Sequence, residues 1–550
     1  MSIQRRSLAV LATLVVWVAT PLSAQVPADA GIRVDGIFEP WNSVESPGCA
    51  VGVSVEGLTV LSRAYGMADL EHGIPNTPHT IFEAGSVSKQ FTAAAVILLA
   101  LDGQLSLHDD VRQYVPEVYD YGTPITLRRM MTHTSGLRDW GSVAGISGWG
   151  RQNRTHTHAH VIDILSRQSG LNFPPGHEYS YSNSGYNLLA IIVGRVSGQS
   201  FAEFSRERIF EPLGMHSTQW RDDYTRIVEG RSSAYSVRDN NVSIMRPIED
   251  VHGNGGLLTT VGDLLIWTEA LEHGRLGGPE FKRMMHEQGQ LNDGRQIAYA
   301  GGLFVEPFGG VPSVTHTGST SGYRAFLGRY PDQRLAVAML CNASNVSTRG
   351  TGERIARVYL GDAVQDPPAP VAVDVDQETL NSLAGLYVDT QTGEPVEIVL
   401  RGGRLLFDGG ATLTPLSQNQ FQLGRGNRKI LVNQNRRGRP TLTVRTGEYV
   451  DDTLEPVEPF APSEADLRDY EGTYYSPDAE TEFVVVVGDS GLEIRRRPDV
   501  VFSLTPTYED AFVMNRFGLV RFSRDSRGRS TELRLLVSRV YDMRFQRLND

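Results

Sequence analysis

The stretch FEAGSVSKQFTAAAVILLA (residues 82–100) places Ser86 and Lys89 one turn apart, at the start of an almost wholly apolar run. On a helix, positions i and i+3 share a face, so the lysine amine can approach the serine hydroxyl. Burial beside the apolar run favours the neutral amine, which can accept the hydroxyl proton. The stretch therefore predicts an activated serine nucleophile at a helix start, where free backbone N–H groups favour a developing negative charge.

A second polar turn lies directly before an amphipathic run, in YSYSNSGYNLLAIIVGRVSG (179–198). The hydroxyl of Tyr181 can relay a proton between Ser86, Lys89 and a leaving group. The amide of Asn183 can hold a substrate amide or carbonyl group. This turn is predicted to face the serine nucleophile.

A third stretch, THTGSTSGYRAFLGRY (315–330), reads as a strand, a turn and a further strand. The candidate substrate-binding residues are His316, Thr317, Gly318 and Ser319. The backbone N–H groups of Ser319 and Ser86 would form an oxyanion hole. A glycine at 318 would let a substrate lie along the strand edge.

The order SxxK, YxN, HTG resembles the serine β-lactamase and penicillin-binding-protein superfamily. A tyrosine at the first position of the second motif is similar to the class C branch, which also holds D-aminopeptidases, D-stereospecific peptidases and esterases. Two further stretches match that branch, ITLRRMMTHTSGL (125–137) and GNGGLLTTVGDLLIW (253–267). The resemblance covers roughly residues 30–360 and no metal or cofactor belongs to it.

The resemblance implies an α/β (α+β) β-lactamase-like domain over 30–361, in which an antiparallel sheet is flanked by helices and joined to a helical subdomain. The active site would lie where the two parts meet. The resemblance also implies acyl transfer through an acyl-enzyme on Ser86, with Lys89 and Tyr181 sharing the acid and base work. The division of the proton between these two groups stays open.

His316 departs from the family pattern, because many β-lactamases and DD-peptidases have a lysine there. Histidine is only partly charged near neutral pH, so a substrate carboxylate should be held less firmly. This favours a D-aminopeptidase-like peptidase or an esterase. The alternatives are a β-lactamase, a DD-carboxypeptidase, or a penicillin- or peptidoglycan-binding protein without turnover. Expected partners are small peptide, ester or β-lactam substrates, and peptidoglycan is a further candidate.

Several other polar residues invite a catalytic interpretation. In the family segment THTSGL, His133 reads as a structural turn residue, and the YxN register selects Tyr181 over Tyr179. The run THTHAH would put His156 and His160 on one helical face, but no carboxylate or fourth ligand stands at a known spacing. A helix start explains that run better than a metal site.

After residue 361 the sequence changes character. A Pro- and Asp-rich linker (362–377) precedes two stretches of short alternating strands, 378–455 and 464–550. These two stretches repeat one another: LNSLAGLYV (380–388) matches LRDYEGTYY (467–475), and LTPLSQNQF (413–421) matches LTPTYEDAF (504–512). Each copy is predicted to form a small closed β-barrel that serves as an accessory module. One larger lipocalin-like barrel made from both copies is the alternative.

The first 24 residues have the pattern of an export signal, with a basic start, an apolar core and LSA before Gln25. A periplasmic or secreted protein is therefore expected. The net charge of −12 argues against nucleic-acid binding. The resemblance places the strands of Cys49 and Cys341 side by side, which leaves a disulfide or two buried thiols as the alternatives.

Overall fold

The computed structural model describes residues 26–548 except 240, 367, 425, 427, 447–448, 490 and 516. The predicted export signal lies outside the described residues. The helices are α1 Ala30–Phe38, α2 Lys89–Leu101, α3 Leu127–Met131, α4 Trp140–Ile146, α5 His158–Ser166, α6 Asn183–Ser197, α7 Phe201–Ser205, α8 Glu211–Leu213, α9 Val261–Glu272, α10 Gly278–His286, α11 Thr348–Leu360, α12 Gln377–Leu383 and α13 Glu464–Arg468.

The strands fall into two groups along the chain. Those before the linker are β1 Cys49–Val55, β2 Leu58–Tyr65, β3 Met67–Asp69, β4 Ile74–Pro75, β5 Phe82–Glu83, β6 Gln219–Trp220, β7 Tyr235–Arg238, β8 Asn241–Ile244, β9 Leu257–Thr259, β10 Phe304–Val305, β11 Val314–Thr320, β12 Tyr323–Tyr330 and β13 Leu335–Cys341. Those after it are β14 Gly385–Asp389, β15 Pro395–Arg401, β16 Arg404–Phe407, β17 Ala411–Ser417, β18 Gln420–Leu423, β19 Arg428–Gln434, β20 Pro440–Thr446, β21 Tyr449–Pro456, β22 Gly472–Ser476, β23 Thr481–Gly488, β24 Gly491–Arg496, β25 Val500–Pro506, β26 Ala511–Met514, β27 Gly518–Arg524, β28 Ser530–Val537 and β29 Val540–Arg547.

The main sheet is antiparallel, in the order β10-β11-β12-β13-β1-β2. Helices α1 and α11 pack on one face and α9 packs on the other. Because both faces are covered, β1 and β13 are buried along their whole lengths, which explains their unbroken apolar sequences CAVGVSV and LAVAMLC. The predicted β-lactamase-like fold, an antiparallel sheet flanked by helices, is confirmed.

The two cysteines are joined across this sheet. Cys49 and Cys341 are opposite each other in the register of β1 and β13, and they form a disulfide that links positions 292 residues apart. The bridge resolves the choice between a disulfide and two buried thiols. It links β1 and β13, which are neighbours inside the main sheet and are its first and last strands in chain order.

The helical part of the domain surrounds α2, which is buried over nearly all its length. Helix α6 packs along α2, and α3, α4, α5 and α7 pack in turn against α6. The nucleophile segment before α2 and the polar turn before α6 are thereby brought to the same end of this helical layer, next to β11.

Beyond the linker, strands β14–β21 close into one barrel and β22–β29 close into another, each with eight antiparallel strands. We call them the first barrel and the second barrel, and we call residues 30–361, for which the resemblance implies hydrolase chemistry, the hydrolase domain. The prediction of two separate barrels is confirmed, and the alternative of one larger barrel is wrong. Each copy of the repeat has enough alternating strands to close a sheet without an exposed edge.

The second barrel is docked on the hydrolase domain through buried polar contacts. Arg138 and Asp478 form an ion pair of 2.7 Å with 5% and 10% of their side chains exposed. The Arg496 guanidinium donates to the backbone carbonyl oxygens of Gly145 and Ile146 at 2.7 and 3.0 Å. Apolar side chains of the second barrel also join the core of the hydrolase domain.

Within the part of the chain that the structure describes, no helix combines the length and the apolar character needed to cross a bilayer.

Candidate active site

The predicted nucleophile lies in a tight turn against the main sheet. Ser86 belongs to a short 3₁₀ segment, Gly85–Ser88, that runs directly into α2. Gly85 has a φ of +52°, and a Cβ there would come within 2.6 Å of the Ser319 backbone nitrogen. A Cβ on Gly318 would come within 2.0 Å of the Ala84 carbonyl oxygen. Two glycines therefore allow the nucleophile turn to lie directly on β11.

Lys89 is fully buried beside Ser86, and its Nζ has three oxygen neighbours. It lies 3.2 Å from Ser86 Oγ, 2.9 Å from Asn183 Oδ1 and 2.6 Å from the Asn254 carbonyl oxygen. Burial holds the pKa of Lys89 well below its ordinary value, and the positive charge of Arg539 lowers it further. In the neutral amine, two N–H bonds point to the two amide oxygens. The lone pair is left for the Ser86 hydroxyl proton.

Tyr181 lies next to this pair. Its ring packs on His133 with 4.1 Å between ring centroids, and Lys89 Nζ is 4.8 Å from the ring centroid. Burial raises the pKa of the Tyr181 phenol, while the nearby Ser86 hydroxyl opposes that rise. The phenol therefore carries its proton at neutral pH, and its buried oxygen makes no hydrogen bond of good geometry within the described structure. It is placed to give that proton to a substrate atom.

Asn183 is buried at the start of α6 and is held from both sides. Its backbone N–H donates to Asp139 Oδ2 at 2.8 Å, and its side-chain oxygen accepts from Lys89. The sequence suggested a substrate contact for this amide. In the structure the side-chain oxygen of Asn183 orients the Lys89 amine.

The third motif lies on β11, whose neighbour β10 pairs only with Val314 and Thr315. The edge of β11 beyond that point faces the nucleophile turn, and Ser319 is exposed there. A substrate can therefore reach the Ser319 backbone and, beside it, the partly exposed Thr317. This is the arrangement that an oxyanion hole between the Ser86 and Ser319 N–H groups requires.

His316 is buried, and both of its ring nitrogens are engaged. Nδ1 lies 2.6 Å from the Thr317 carbonyl oxygen, and Nε2 lies 2.9 Å from the Tyr299 hydroxyl. Since a carbonyl only accepts, Nδ1 carries the proton and Nε2 accepts from Tyr299. Burial lowers the pKa of His316 to about 3. This position therefore supplies no positive charge at neutral pH.

Several residues at the site were not predicted from the sequence. His133, assigned to a turn, does have a left-handed backbone (φ 59°), but its buried ring also packs directly on Tyr181. Asp139 holds the Asn183 backbone, and Asn254 holds the Lys89 amine. In the sequence, the one indication of their roles was that they lie within or near the stretches that match the family. Arg539 had no signal, because it belongs to the second barrel.

Arg539 lies in the turn between β28 and β29, which reaches the site from outside the hydrolase domain. The centre of its guanidinium is 4.9 Å from the Tyr181 ring centroid. Its Nη1 is 3.9 Å from Asp139 Oδ2. The candidate site is thus formed by the hydrolase domain together with the second barrel.

The histidine run near α5 has a structural role. His156 precedes the helix and bonds the Trp149 carbonyl oxygen at 2.7 Å, so it does not share a helical face with His160. His160 accepts the Thr157 backbone N–H at 3.0 Å and caps α5. Across the described residues, no group of three or more His, Cys, Asp or Glu side chains is arranged to hold a metal ion.

Comparisons with known proteins agree with this architecture. The β-lactamase family profile matches residues 37–360. The chain is 26% identical over 459 residues to a D-aminopeptidase of Cereibacter sphaeroides (strain ATCC 17029 / ATH 2.4.9), covering 82% of this chain and 83% of that protein. It is 30% identical over 312 residues to penicillin-binding protein 4* of Bacillus subtilis (strain 168), covering 53% of this chain and 67% of that protein.

Solved structures share the fold at lower identity. The octameric penicillin-binding protein homologue from Pyrococcus abyssi has a TM-score of 0.56 at 22% identity, over 78% of this chain and 100% of that one. A D-stereospecific amidohydrolase from Streptomyces sp. has a TM-score of 0.52 at 20% identity, over 60% of this chain and 98% of that one. SurE has a TM-score of 0.52 at 19% identity, over 94% of this chain and 99% of that one.

Proposed function

Since this chain belongs to the β-lactamase family and is a serine hydrolase, we propose that it cleaves the amide bond that follows an N-terminal D-amino acid. The observation that carries the proposal is the similarity to D-aminopeptidases, which extends through the hydrolase domain into the barrels. The geometry of Ser86, Lys89 and Tyr181 supports the acyl-transfer chemistry that such a reaction needs.

In the first half-reaction, Ser86 Oγ attacks the substrate carbonyl carbon and its proton passes to the neutral Lys89 amine. The resulting oxyanion is stabilised by the backbone N–H groups of Ser86 and Ser319. The intermediate collapses as the C–N bond breaks, and Tyr181 protonates the departing nitrogen. The proton on Lys89 then restores the Tyr181 phenol, so the charges balance.

In the second half-reaction, water attacks the acyl-enzyme carbonyl. Lys89 and Tyr181 take the water proton and return it to Ser86 Oγ as the ester bond breaks, which releases the acid product. Asn183 and His133 act as positioning residues here, because Asn183 orients the Lys89 amine and His133 packs on the Tyr181 ring.

The test is a panel of chromogenic and peptide substrates on the purified mature protein. It should contain D- and L-alanyl p-nitroanilides, p-nitrophenyl acetate, a chromogenic cephalosporin and a D-Ala-D-Ala peptide. The proposal predicts the highest kcat/KM for the D-aminoacyl amide. Equal rates on the D- and L-anilides would instead assign an amidase without D-stereospecificity, and hydrolysis of the acetate alone would assign an esterase.

A second candidate follows from the 30% identity to penicillin-binding protein 4*. This function would be reaction with β-lactams or peptidoglycan peptides, with or without turnover. Rapid cephalosporin hydrolysis would assign a β-lactamase, and release of D-alanine from the D-Ala-D-Ala peptide would assign a carboxypeptidase. A stable acyl adduct on Ser86 without product release would assign a binding protein.

We also propose that the protein is exported. The signal pattern of residues 1–24 supports this, as does the Cys49–Cys341 disulfide, because such bridges persist mainly in oxidising compartments. Cell fractionation with N-terminal sequencing tests it: the mature chain should start at Gln25 and should be found outside the cytoplasm. Full-length protein in the cytoplasmic fraction would contradict the proposal.

A further inference from the structure

The turn between β28 and β29 is fixed in the active site by its backbone. The Arg539 carbonyl oxygen accepts from the Asp139 backbone N–H at 3.2 Å and from Asn172 Nδ2 at 3.1 Å. The Asn172 side-chain oxygen accepts the Tyr541 backbone N–H at 2.8 Å. These contacts hold the turn through main-chain atoms of the second barrel, so the Arg539 side chain is not needed for its placement.

The guanidinium of Arg539 lies at the site with its hydrogen-bond donors still available to a ligand. Its side chain is 39% exposed, and among the described residues it makes no side-chain hydrogen bond. Its nearest carboxylate, Asp139, is 3.9 Å away, and the same oxygen already accepts the Asn183 N–H at 2.8 Å. The guanidinium has five N–H donors in a planar fork that matches a carboxylate. It can therefore accept such a ligand from the cleft.

Two other arginines near the site are already paired with carboxylates. Arg349 lies 3.0 Å from Glu306, and Arg151 makes a two-point contact with the buried Glu249. Both pairs are closer than the 3.9 Å that separates Arg539 from Asp139. The charge of Arg539 also acts on the reacting groups, since it lowers the pKa of both Lys89 and Tyr181. A fixed positive charge thus stands at the reacting centre, although His316 on β11 supplies none.

The position of Arg539 relative to Tyr181 determines which part of a substrate it meets. Tyr181 protonates the departing nitrogen, so the leaving group lies beside the Tyr181 hydroxyl. The guanidinium packs over the same ring. In an amino-acid leaving group, the carboxylate is only two bonds from that nitrogen.

We propose that Arg539 forms an anion subsite for the leaving group, and that the preferred substrate is a short D-aminoacyl peptide whose leaving residue has a free carboxylate. This inference rests on the proposed function for the acyl part of the substrate. It revises the expectation drawn from His316 that carboxylates are held poorly, because the second barrel supplies the cation instead.

The test compares two substrates that differ only in leaving-group charge, D-alanylglycine and D-alanylglycinamide. The wild type should favour D-alanylglycine in kcat/KM by about 10- to 100-fold, as for a hydrogen bond to a charged group. Arg539→Gln should remove that preference, because its loss of kcat/KM on D-alanylglycine should exceed its loss on D-alanylglycinamide by about 10- to 100-fold. Arg539→Lys should keep part of the preference, because it keeps the charge but not the fork.

Arg544→Gln is the matched control, since Arg544 lies on the neighbouring strand, is exposed and pairs with Asp542. It should leave both rates unchanged. Equal losses on both substrates in Arg539→Gln would overturn the subsite and indicate a structural or base-tuning role. An unchanged preference would overturn it as well.

Failure of the proposed function can be told apart from failure of the subsite. If the wild type cleaves neither dipeptide, the D-aminoacyl proposal is wrong. The subsite is then tested with acetoxyacetate and acetoxyacetamide, whose glycolate and glycolamide leaving groups again differ in charge and place it two bonds from the departing oxygen. The same loss of preference in Arg539→Gln supports the subsite, and its absence, or the failure of both esters as substrates, overturns it.

Discussion

The two barrels share one strand order but meet the hydrolase domain very differently. At the same position of the repeat, in the turn after the first strand, the first barrel has Gln391 and the second has Asp478. Gln391 makes an exposed hydrogen bond to Glu178, whereas Asp478 forms the buried ion pair with Arg138. The first barrel keeps a separate apolar core, while the core of the second continues into the hydrolase domain.

The difference shows how one copy of a duplicated module comes to contact the candidate active site. Closure of the barrel depends on alternating strands, which both copies have. Docking depends on a few polar side chains outside the barrel interior, and these differ between the copies. The second barrel holds the turn of Arg539 against Tyr181.

The proposed reacting groups Ser86, Lys89 and Tyr181 all lie in the hydrolase domain, and the second barrel contacts them from outside. Ser86→Ala should therefore lower kcat on every substrate by at least about a thousandfold, or about 4 kcal/mol in activation free energy. The fold should be kept, because alanine fits the turn before α2. Steady-state kinetics and circular dichroism test this. Residual activity above that level with an intact fold would exclude Ser86 as the nucleophile.

The docking difference predicts unequal effects on stability at the matched repeat positions. Asp478→Asn leaves the Arg138 guanidinium buried without its counter-charge and should lower the free energy of unfolding by about 3–5 kcal/mol. Gln391→Ala removes an exposed contact and should lower it by about 1 kcal/mol or less. Urea unfolding measures both. Equal effects would mean that the two barrels are docked equally.

The hydrolase domain and the barrels differ in histidine content, so their stabilities should depend differently on pH. All 13 histidines lie at or before residue 316, so the barrels contain none. Burial lowers the pKa of His286 to about 4 and that of His316 to about 3, from an ordinary value of 6.5. Because the unfolded chain binds more protons in this window, the stability of the hydrolase domain should fall as pH drops from about 6.5 towards 4.

Tryptophan fluorescence reports this unfolding selectively, because every tryptophan of the described chain lies in the hydrolase domain. Its midpoint in urea should move to lower concentration over that pH range. His286→Gln should weaken the pH dependence, whereas the same change at exposed His72 should not. A midpoint that stays constant from pH 6.5 to 4 would contradict the neutral, buried state of these rings.

The smallest effect is expected at His316. Its nitrogens are taken by Tyr299 and Thr317, so His316→Gln should slow cleavage of charged and neutral leaving groups alike. The ratio of kcat/KM for D-alanylglycine over D-alanylglycinamide should change by less than about twofold. A larger change would show that His316 on β11, and not Arg539 of the second barrel, recognises the charge of the leaving group.

Much of this molecule follows from local sequence. The Ser86–Lys89 pair needs only helical spacing, and the unbroken apolar runs of β1 and β13 indicate strands covered on both faces. The repeated alternating strands predict the barrels. Each of these features is set by the neighbours of a residue along the chain, so the pattern of residue types is sufficient to predict it.

Other features were decided only by the tertiary structure. The tautomer of His316 depends on Tyr299, and the charge near Tyr181 comes from Arg539, more than 350 residues away in the sequence. Sequence periodicity contains no information on such meetings, because they depend on how one domain docks on another. That docking is set by buried pairs such as Arg138–Asp478, whose two members are unremarkable surface-type residues until the fold brings them together.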